Sequence, residues 1–146
     1  MLKKYLSLIA VLAATLTLGF WLGHAQATEA ASAAAKNRVF ELRTYYCNEG
    51  KLPDLQARFR DHTTKIFKRH GMANVGYWTP QDAPGSQNTL VYIISHDSRE
   101  AAKKSWDDFR KDPEWMKVRE ASEANGKIVN KVDSVYLDPT DYSPIK

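Results

Sequence analysis

The chain has 146 residues, of which 43% are hydrophobic and 26% are charged. This composition is typical of one ordinary globular domain and leaves no room for two large ones. The formal net charge is +4, and no basic tract in the sequence indicates binding to nucleic acid or to an anionic membrane surface.

The amino terminus is typical of a secretory signal. Two lysines precede an almost wholly apolar run over residues 5–22, and an Ala-Gln-Ala sequence that ends at residue 27 has the pattern that signal peptidase cleaves. We therefore predict that residues 1–27 are a signal peptide and that the product is periplasmic or secreted from a bacterium. The alternative is an uncleaved anchor in the inner membrane, because the apolar run is near the lower length limit for spanning a bilayer.

The rest of the chain alternates between strand-like and helix-like patterns. An alanine-rich tether over residues 28–37 leads into the predicted domain, residues 38–146. Alternating β-branched and aromatic residues predict strands, and apolar residues three and four apart predict helices. Strands are predicted over residues 38–46, 72–79, 88–96 and 128–137, and helices over residues 51–70, 97–111 and 113–124.

A break between the second and third helices is predicted at Asp112 and Pro113. Aspartate can accept hydrogen bonds from the free N–H groups of a helix start, and proline is tolerated in the first turn. Trp106 and Phe109 before the break and Trp115 after it carry a large apolar area, so we expect a β-sheet to receive this segment.

The order strand, helix, strand, strand, helix, strand predicts the α+β class with a ferredoxin-like βαββαβ arrangement and a four-stranded antiparallel sheet. Right-handed crossovers place the helices on one face of the sheet, and no part of the chain is expected to cover the other. The third strand is nevertheless apolar on both faces, with Val91 and Ile93 on the uncovered one. We therefore predict a homodimer that pairs through this face.

The sequence between residues 38 and 144 resembles the NIPSNAP family. The segments that carry the resemblance include RVFELRTYYCNEGKL, a GYW element, NTLVYIISH and SWDDFRKDPEWMKVREASE. The resemblance implies the dimeric α+β barrel fold, in agreement with the prediction from the pattern. It implies no settled reaction, since the wider barrel superfamily includes cofactor-free monooxygenases, haem-degrading enzymes and small lactone isomerases.

Candidate catalytic residues are those expected near a cavity between the sheet and its helices. Helical spacing predicts His62 beside Phe59 and Ile66, at the edge of the buried stripe. His62 is a tentative general base, and a structural histidine is the alternative. Tyr77 and Tyr92 are the polar groups that could contact a substrate.

Candidate ligand-binding residues combine one arginine with several aromatic side chains. Arg43 shares a strand face with Glu41, so it either forms an ion pair between subunits or anchors an anionic ligand such as a carboxylate. Aromatic side chains that could line an apolar pocket, or form ordinary core, are Tyr45, Trp78, Trp106 and Trp115.

The remaining reactive side chains suggest no further site. His70 is expected to interact with a helix dipole, His96 to face solvent, and Cys47 to be buried at a strand end. The basic side chains of the first helix, Arg58 among them, are expected to form a solvated face. A glycine-rich phosphate loop, a Cys/His cluster with zinc spacing and a Gly-x-Ser-x-Gly motif are all missing from the sequence. We therefore expect no cofactor and no metal.

Two functions are compatible with these sequence features. The first is an exported homodimeric binding or interaction domain with an undetermined ligand. The second is a cofactor-poor enzyme, similar to a monooxygenase or an isomerase, that acts on a small hydrophobic or aromatic molecule. The expected partners are a second copy of the chain and a small apolar or aromatic ligand.

Overall fold

The computed structural model describes residues 38–146. The predicted signal peptide and tether lie outside the described residues. Within residues 38–146, no helix is long and apolar enough to cross a membrane.

The domain is built on one four-stranded antiparallel sheet with the strand order β2-β3-β1-β4. This is the ferredoxin-like α+β arrangement that the sequence predicts. The two central strands, β1 and β3, are the first and third in the chain. The strands are β1 (Val39–Cys47), β2 (Ala73–Trp78), β3 (Thr89–His96) and β4 (Val129–Leu137).

Helices cover one face of this sheet. The first helical segment begins as α1, continues through a π-helical turn and ends as α2. Gly71 follows with a positive φ of 75°, the left-handed conformation that commonly ends a helix. A short helix, α3, forms within the region predicted as a loop. The helical bounds are α1 (Leu52–Arg58), the π turn (Phe59–Thr63), α2 (Thr64–Arg69), α3 (Gly85–Asn88), α4 (Arg99–Lys111) and α5 (Pro113–Ser122).

Two local predictions about the helices are wrong. The sequence pattern predicts one uninterrupted first helix, but the π turn widens it, and Thr63 Oγ1 donates to the carbonyl of Arg58, five residues earlier, at 3.1 Å. The second helix is predicted to begin at Asp97, on the capping-box spacing of Asp97 and Glu100, with Asp97 as its cap, but α4 begins at Arg99. Ser98 takes this place because its hydroxyl accepts from the N–H of Ala101 at 3.1 Å.

The core lies between the sheet and the helices. Alternation along β1 places Glu41, Arg43 and Tyr45 on one strand face, as predicted, and this face meets the helices. Aromatic side chains fill much of the layer, and the ring of Phe67 lies 5.4 Å from that of Trp106. The buried hydrophobic side chains include Leu52, Leu55, Phe59, Ile66, Phe67, Met72, Leu90, Tyr92, Ile94, Trp106, Phe109 and Ile128.

The opposite face of the sheet is partly covered by the chain itself. Residues 138–146 form one wall of a cleft of about 290 Å³ that also contains Phe40 and Ile93. The prediction that nothing covers this face is therefore wrong at this end, because a turn in which Ser143 N–H donates to the carbonyl of Thr140 reverses the chain after β4. Elsewhere the face stays open, and Val135 is 53% exposed.

Asp112 joins the end of α2 to the start of α5. One carboxylate oxygen accepts from the N–H groups of Glu114 and Trp115, at 2.8 and 3.1 Å, which is the predicted helix cap. The other accepts from Arg69 Nη2 at 2.8 Å and contacts His70 Nε2 at 2.7 Å. The Arg69 guanidinium is the main reason that the pKa of Asp112 lies well below its usual range. One side chain therefore fixes the angle at which the tryptophan-bearing helix begins.

Replacing Asp112 should separate its two roles. Asp112→Ala removes the cap and the charge, and we expect the free energy of unfolding to fall by about 2 kcal/mol, the upper end for a lost helix cap. Asp112→Asn keeps a good cap and should cost less. Urea denaturation followed by circular dichroism measures both variants, with Asp82→Ala in an exposed turn as the control. Wild-type stability in Asp112→Ala would contradict the assigned role.

Candidate functional site

A cleft of about 280 Å³ lies between the sheet and the helices, above β1 and β4. Arg43 and Tyr45 of β1 form its floor together with Val129 and Val132 of β4. Aromatic side chains from the helices form the walls, and charged side chains surround the mouth. The walls contain Phe59, Phe67, Trp106, Phe109 and Trp115, and the charged residues are Arg58, Arg110, Arg119, Glu123 and Lys127.

The cleft brings together four of the five predicted ligand-binding residues, namely Arg43, Tyr45, Trp106 and Trp115. Period-two alternation places the first two on the same strand face, and separate helices supply the two tryptophans. Trp78 is not part of this group. Its side chain lies on the opposite face of the sheet, is 52% exposed, and leaves no room for a Cβ atom at Gly76.

The π turn contributes to the wall of this cleft. Phe59 and Thr63, its first and last residues, are both buried and both line the cleft. A π turn inside an α-helix costs regular hydrogen bonding and is frequent at functional sites. Arg58, which directly precedes the turn, is 5% exposed because Ser122, Glu123 and the Trp115 ring contact its guanidinium. The sequence predicts Arg58 on a solvated helix face, and that prediction is wrong.

Two guanidinium groups stack on the aromatic walls. Arg43 Cζ lies 4.3 Å from the ring centroid of Trp106, and Arg58 Cζ lies 5.3 Å from that of Trp115. Each distance is within the range of a cation–π interaction. The cleft therefore presents positive charge next to flat apolar surface.

A buried carboxylate holds the first of these guanidiniums in place. Glu41 is 1% exposed, and its Oε1 accepts from Arg43 Nη1 and from Ser134 Oγ, both at 2.6 Å. Its Oε2 accepts from Trp106 Nε1 at 2.7 Å and contacts His96 Nε2 at 3.1 Å. The Arg43–Glu41 ion pair thus forms within one chain, and not between subunits, because this strand face meets the chain's own helices.

His96 belongs to this network, and the prediction that it faces solvent is wrong. The residue is 1% exposed. The signal is present in the sequence, because alternation along β3 places His96 in phase with the buried Tyr92 and Ile94. Its position at the end of the strand suggests exposure, whereas Glu41 and the neighbouring Tyr136 ring enclose it.

The pKa of Glu41 reflects both its burial and its partners. Burial alone raises the pKa of this carboxyl, while the hydrogen bonds of His96, Ser134 and Trp106 and the charge of Arg43 lower it to a net value of about 2. Glu41 is therefore ionised at neutral pH, and its charge keeps the Arg43 guanidinium against the Trp106 ring.

The three predicted catalytic residues do not form one group. His62 is exposed beside the buried Thr63 and lines a separate groove between α1 and α5. Tyr92 is fully buried, and its hydroxyl has no hydrogen-bond partner within residues 38–146. Tyr77 stacks on Tyr92 and donates to Asn74 Oδ1 at 2.5 Å. Burial raises the pKa of both tyrosines, so both stay protonated at neutral pH.

Other reactive groups lie outside the cleft. Cys47 is buried, as predicted, and burial raises the pKa of its thiol. Among the described residues, no three His, Cys, Asp or Glu side chains are grouped so that they could hold a metal ion.

Comparisons with known proteins agree with this fold. The NIPSNAP family model matches residues 40–144. A NIPSNAP family protein of unknown function from Agrobacterium tumefaciens is 22% identical, with a TM-score of 0.65, over 76% of this chain and 96% of that one. An uncharacterised NIPSNAP domain protein from Burkholderia xenovorans is 23% identical, with a TM-score of 0.61, over 73% of this chain and 98% of that one.

A more distant structure shares the same fold. SnoaB, a cofactor-independent oxygenase from Streptomyces nogalater, is 13% identical, with a TM-score of 0.51, over 74% of this chain and 98% of that one. At this identity the likeness is one of fold alone. A search of curated proteins finds no significant match to the chain.

The Glu41 network predicts a specific dependence of stability on pH. Glu41→Gln leaves Arg43 without its buried counter-charge and should cost about 3 kcal/mol at pH 7. Because the pKa of Glu41 falls from an ordinary 4.5 to about 2 on folding, the wild type should lose this stabilisation as the pH falls from about 4.5 to about 2. The stability difference between wild type and variant should therefore narrow over that range.

Urea denaturation at pH 7, 4 and 3 measures this difference. Glu120→Gln, at an exposed position on α5, is the matched control and should differ little from wild type at each pH. A difference between wild type and Glu41→Gln that stays constant or grows as the pH falls would contradict the prediction.

Proposed function

The chain belongs to the NIPSNAP family, and we propose that it is a binding protein for a small aromatic molecule, which enters the cleft between the sheet and the helices. The observation that carries the proposal is a cleft walled by aromatic rings, with two guanidinium groups stacked on the tryptophans among them. Binding sites for small molecules commonly combine apolar walls with a few polar groups that fix orientation.

The size of the cleft limits the ligand. A cavity of about 150 Å³ can hold one benzene molecule. At about 280 Å³, the cleft has room for one or two aromatic rings but not for a large cofactor. A flat molecule of this size could lie against Trp106 or Trp115 and reach an arginine at its edge.

The walls are braced by contacts among their own rings. The centroid of Phe109 lies 4.5 Å from that of Trp115, and the centroid of Phe67 lies 4.9 Å from that of Phe109. Side chains held in this way lose little further freedom when a ligand binds, which favours affinity. The cleft is therefore suited to binding without rearrangement of its walls.

The geometry favours binding over catalysis. A cofactor-poor enzyme would use the same cleft, and SnoaB shows that this fold supports an oxygenase without a cofactor. Such chemistry needs a group that moves a proton at the ligand. His62, the predicted base, lies in a different groove, and Glu41 is occupied by four donors.

Trp115 and Trp78 provide a matched test of the proposed cleft. We expect Trp115→Ala to weaken binding of 2-naphthamide about tenfold, because it removes one aromatic wall, whereas Trp78→Ala should leave binding unchanged. Isothermal titration calorimetry on the full chain measures both affinities. Equal losses in the two variants, or no binding of either 2-naphthamide or its carboxylate analogue 2-naphthoate to the wild type, would contradict the proposal.

Assembly as a homodimer is a second part of the proposal. Trp78 and Val135 are about half exposed on the open face of the sheet, and Val91 on the same face is only half-buried. Apolar side chains grouped on one surface are typical of an interface, and a second copy placed face to face would bury them.

Export, which is predicted from residues 1–27, is likewise part of the proposal. The mass of the chain recovered from the periplasm tests whether the signal peptide is removed.

A charge placed on the open face should disrupt the dimer. Size-exclusion chromatography with light scattering is expected to give twice the chain mass for the wild type and the monomer mass for Val135→Glu, since a buried unpaired carboxylate opposes association. Met116→Glu, at a 52% exposed position on α5 in the helical layer, controls for the added charge. A monomeric wild type at micromolar concentration would overturn this part of the proposal.

A further inference from the structure

We propose that the ligand of the cleft is a small aromatic carboxylate, whose carboxylate group binds between Arg58 and Arg119 in the position that Glu123 now occupies. This inference rests on the proposed binding function and adds the chemical class of the ligand. Three observations carry it: the charges around the cleft, the burial and incomplete hydrogen bonding of Arg58, and the long contacts of Glu123.

The charged side chains of the cleft have an excess of positive charge. Five of them are basic and only Glu123 is acidic. Glu41 balances Arg43, and Asp107 balances Arg110. Arg58 and Arg119 share the single carboxylate of Glu123, and Lys127 has no salt-bridge partner within residues 38–146. An anionic ligand would therefore enter a region of unbalanced positive charge, which favours its binding.

Arg58 is buried without full hydrogen bonding. Its side chain is 4% exposed, and its Nε atom has no hydrogen-bond partner within residues 38–146. Its Nη1 atom makes only long contacts, at 3.2 Å to Ser122 Oγ and 3.4 Å to Glu123 Oε1. A buried guanidinium is normally compensated by a closely bonded anion, and a planar carboxylate can accept two of its N–H groups at once.

Glu123 shows that the space between the two arginines accepts a carboxylate. Its Oε1 lies 3.4 Å from Arg58 Nη1, and its Oε2 lies 3.4 Å from Arg119 Nε. Charge-assisted hydrogen bonds in proteins are usually about 2.7 to 2.9 Å long, so both contacts are weak. A ligand carboxylate attached to a ring in the aromatic cleft could approach closer, with Glu123 moving toward solvent.

The position of the aromatic rings fits this arrangement. The Arg58 guanidinium stacks on Trp115, and the same tryptophan lines the cleft beside Phe109. A ring that packs against this wall has Arg58 at its edge. The ligand is therefore recognised at two points, the ring by the aromatic walls and the carboxylate by the guanidinium pair.

A matched pair of probes tests the ligand class. We expect 2-naphthoate to bind the full chain at least tenfold more tightly than neutral 2-naphthamide at low salt, with the advantage falling as salt is added. Isothermal titration calorimetry measures both. If 2-naphthamide binds as tightly as 2-naphthoate, the carboxylate inference is overturned while the proposed cleft stands. If neither probe binds, both are overturned.

Two substitutions at the mouth should act in opposite directions. Arg119→Gln, at a largely exposed side chain that can change without unfolding the domain, should weaken 2-naphthoate binding several-fold and leave 2-naphthamide binding unchanged. Glu123→Gln should strengthen 2-naphthoate binding several-fold, because it removes the competing carboxylate. Glu120→Gln, on the neighbouring turn, is the control. Unchanged or weaker 2-naphthoate binding in Glu123→Gln would overturn the inference.

Discussion

The buried carboxylate of Glu41 is the interaction on which the rest of this structure depends. A single charged side chain links three strands and one helix, since it contacts Arg43 on its own strand, His96 on β3, Ser134 on β4 and Trp106 on α4. An unpaired charge at this depth would be costly, so the four partners have to be in place together. The same network that satisfies the charge also sets one wall and part of the floor of the cleft.

The other wall is fixed at a second carboxylate, Asp112. By capping α5 and binding the end of α2, this side chain sets where Trp115 and Arg119 lie over the sheet. Two buried acids, Glu41 on β1 and Asp112 between α4 and α5, thus position aromatic rings from different parts of the chain. The polar groups of the core serve to place its apolar groups, and the cleft is the space left between them.

The sequence predicts the sheet and most of the cleft because alternation and helix capping are local. Period-two spacing places Arg43 and Tyr45 on the same strand face, and the Asp112-Pro113 cap places Trp115. The π turn cannot be predicted in this way, because no residue pattern marks it. Arg58 is buried although it stands among basic residues, because Ser122 and Glu123, 64 and 65 residues away in the chain, contact its guanidinium. The position of His96 is not predictable locally either, because its partner, Glu41, is 55 residues away in the chain.

The most direct test of the proposed ligand site is the response of the tryptophan indole N–H groups to a bound ligand. In a ¹⁵N-labelled sample titrated with 2-naphthoate, the indole resonances of Trp106 and Trp115 should shift, because both rings line the cleft. The indole resonance of Trp78, on the other face of the sheet, should stay in place. A shift at Trp78 without shifts at Trp106 and Trp115 would show that the ligand binds elsewhere and would contradict the proposed site.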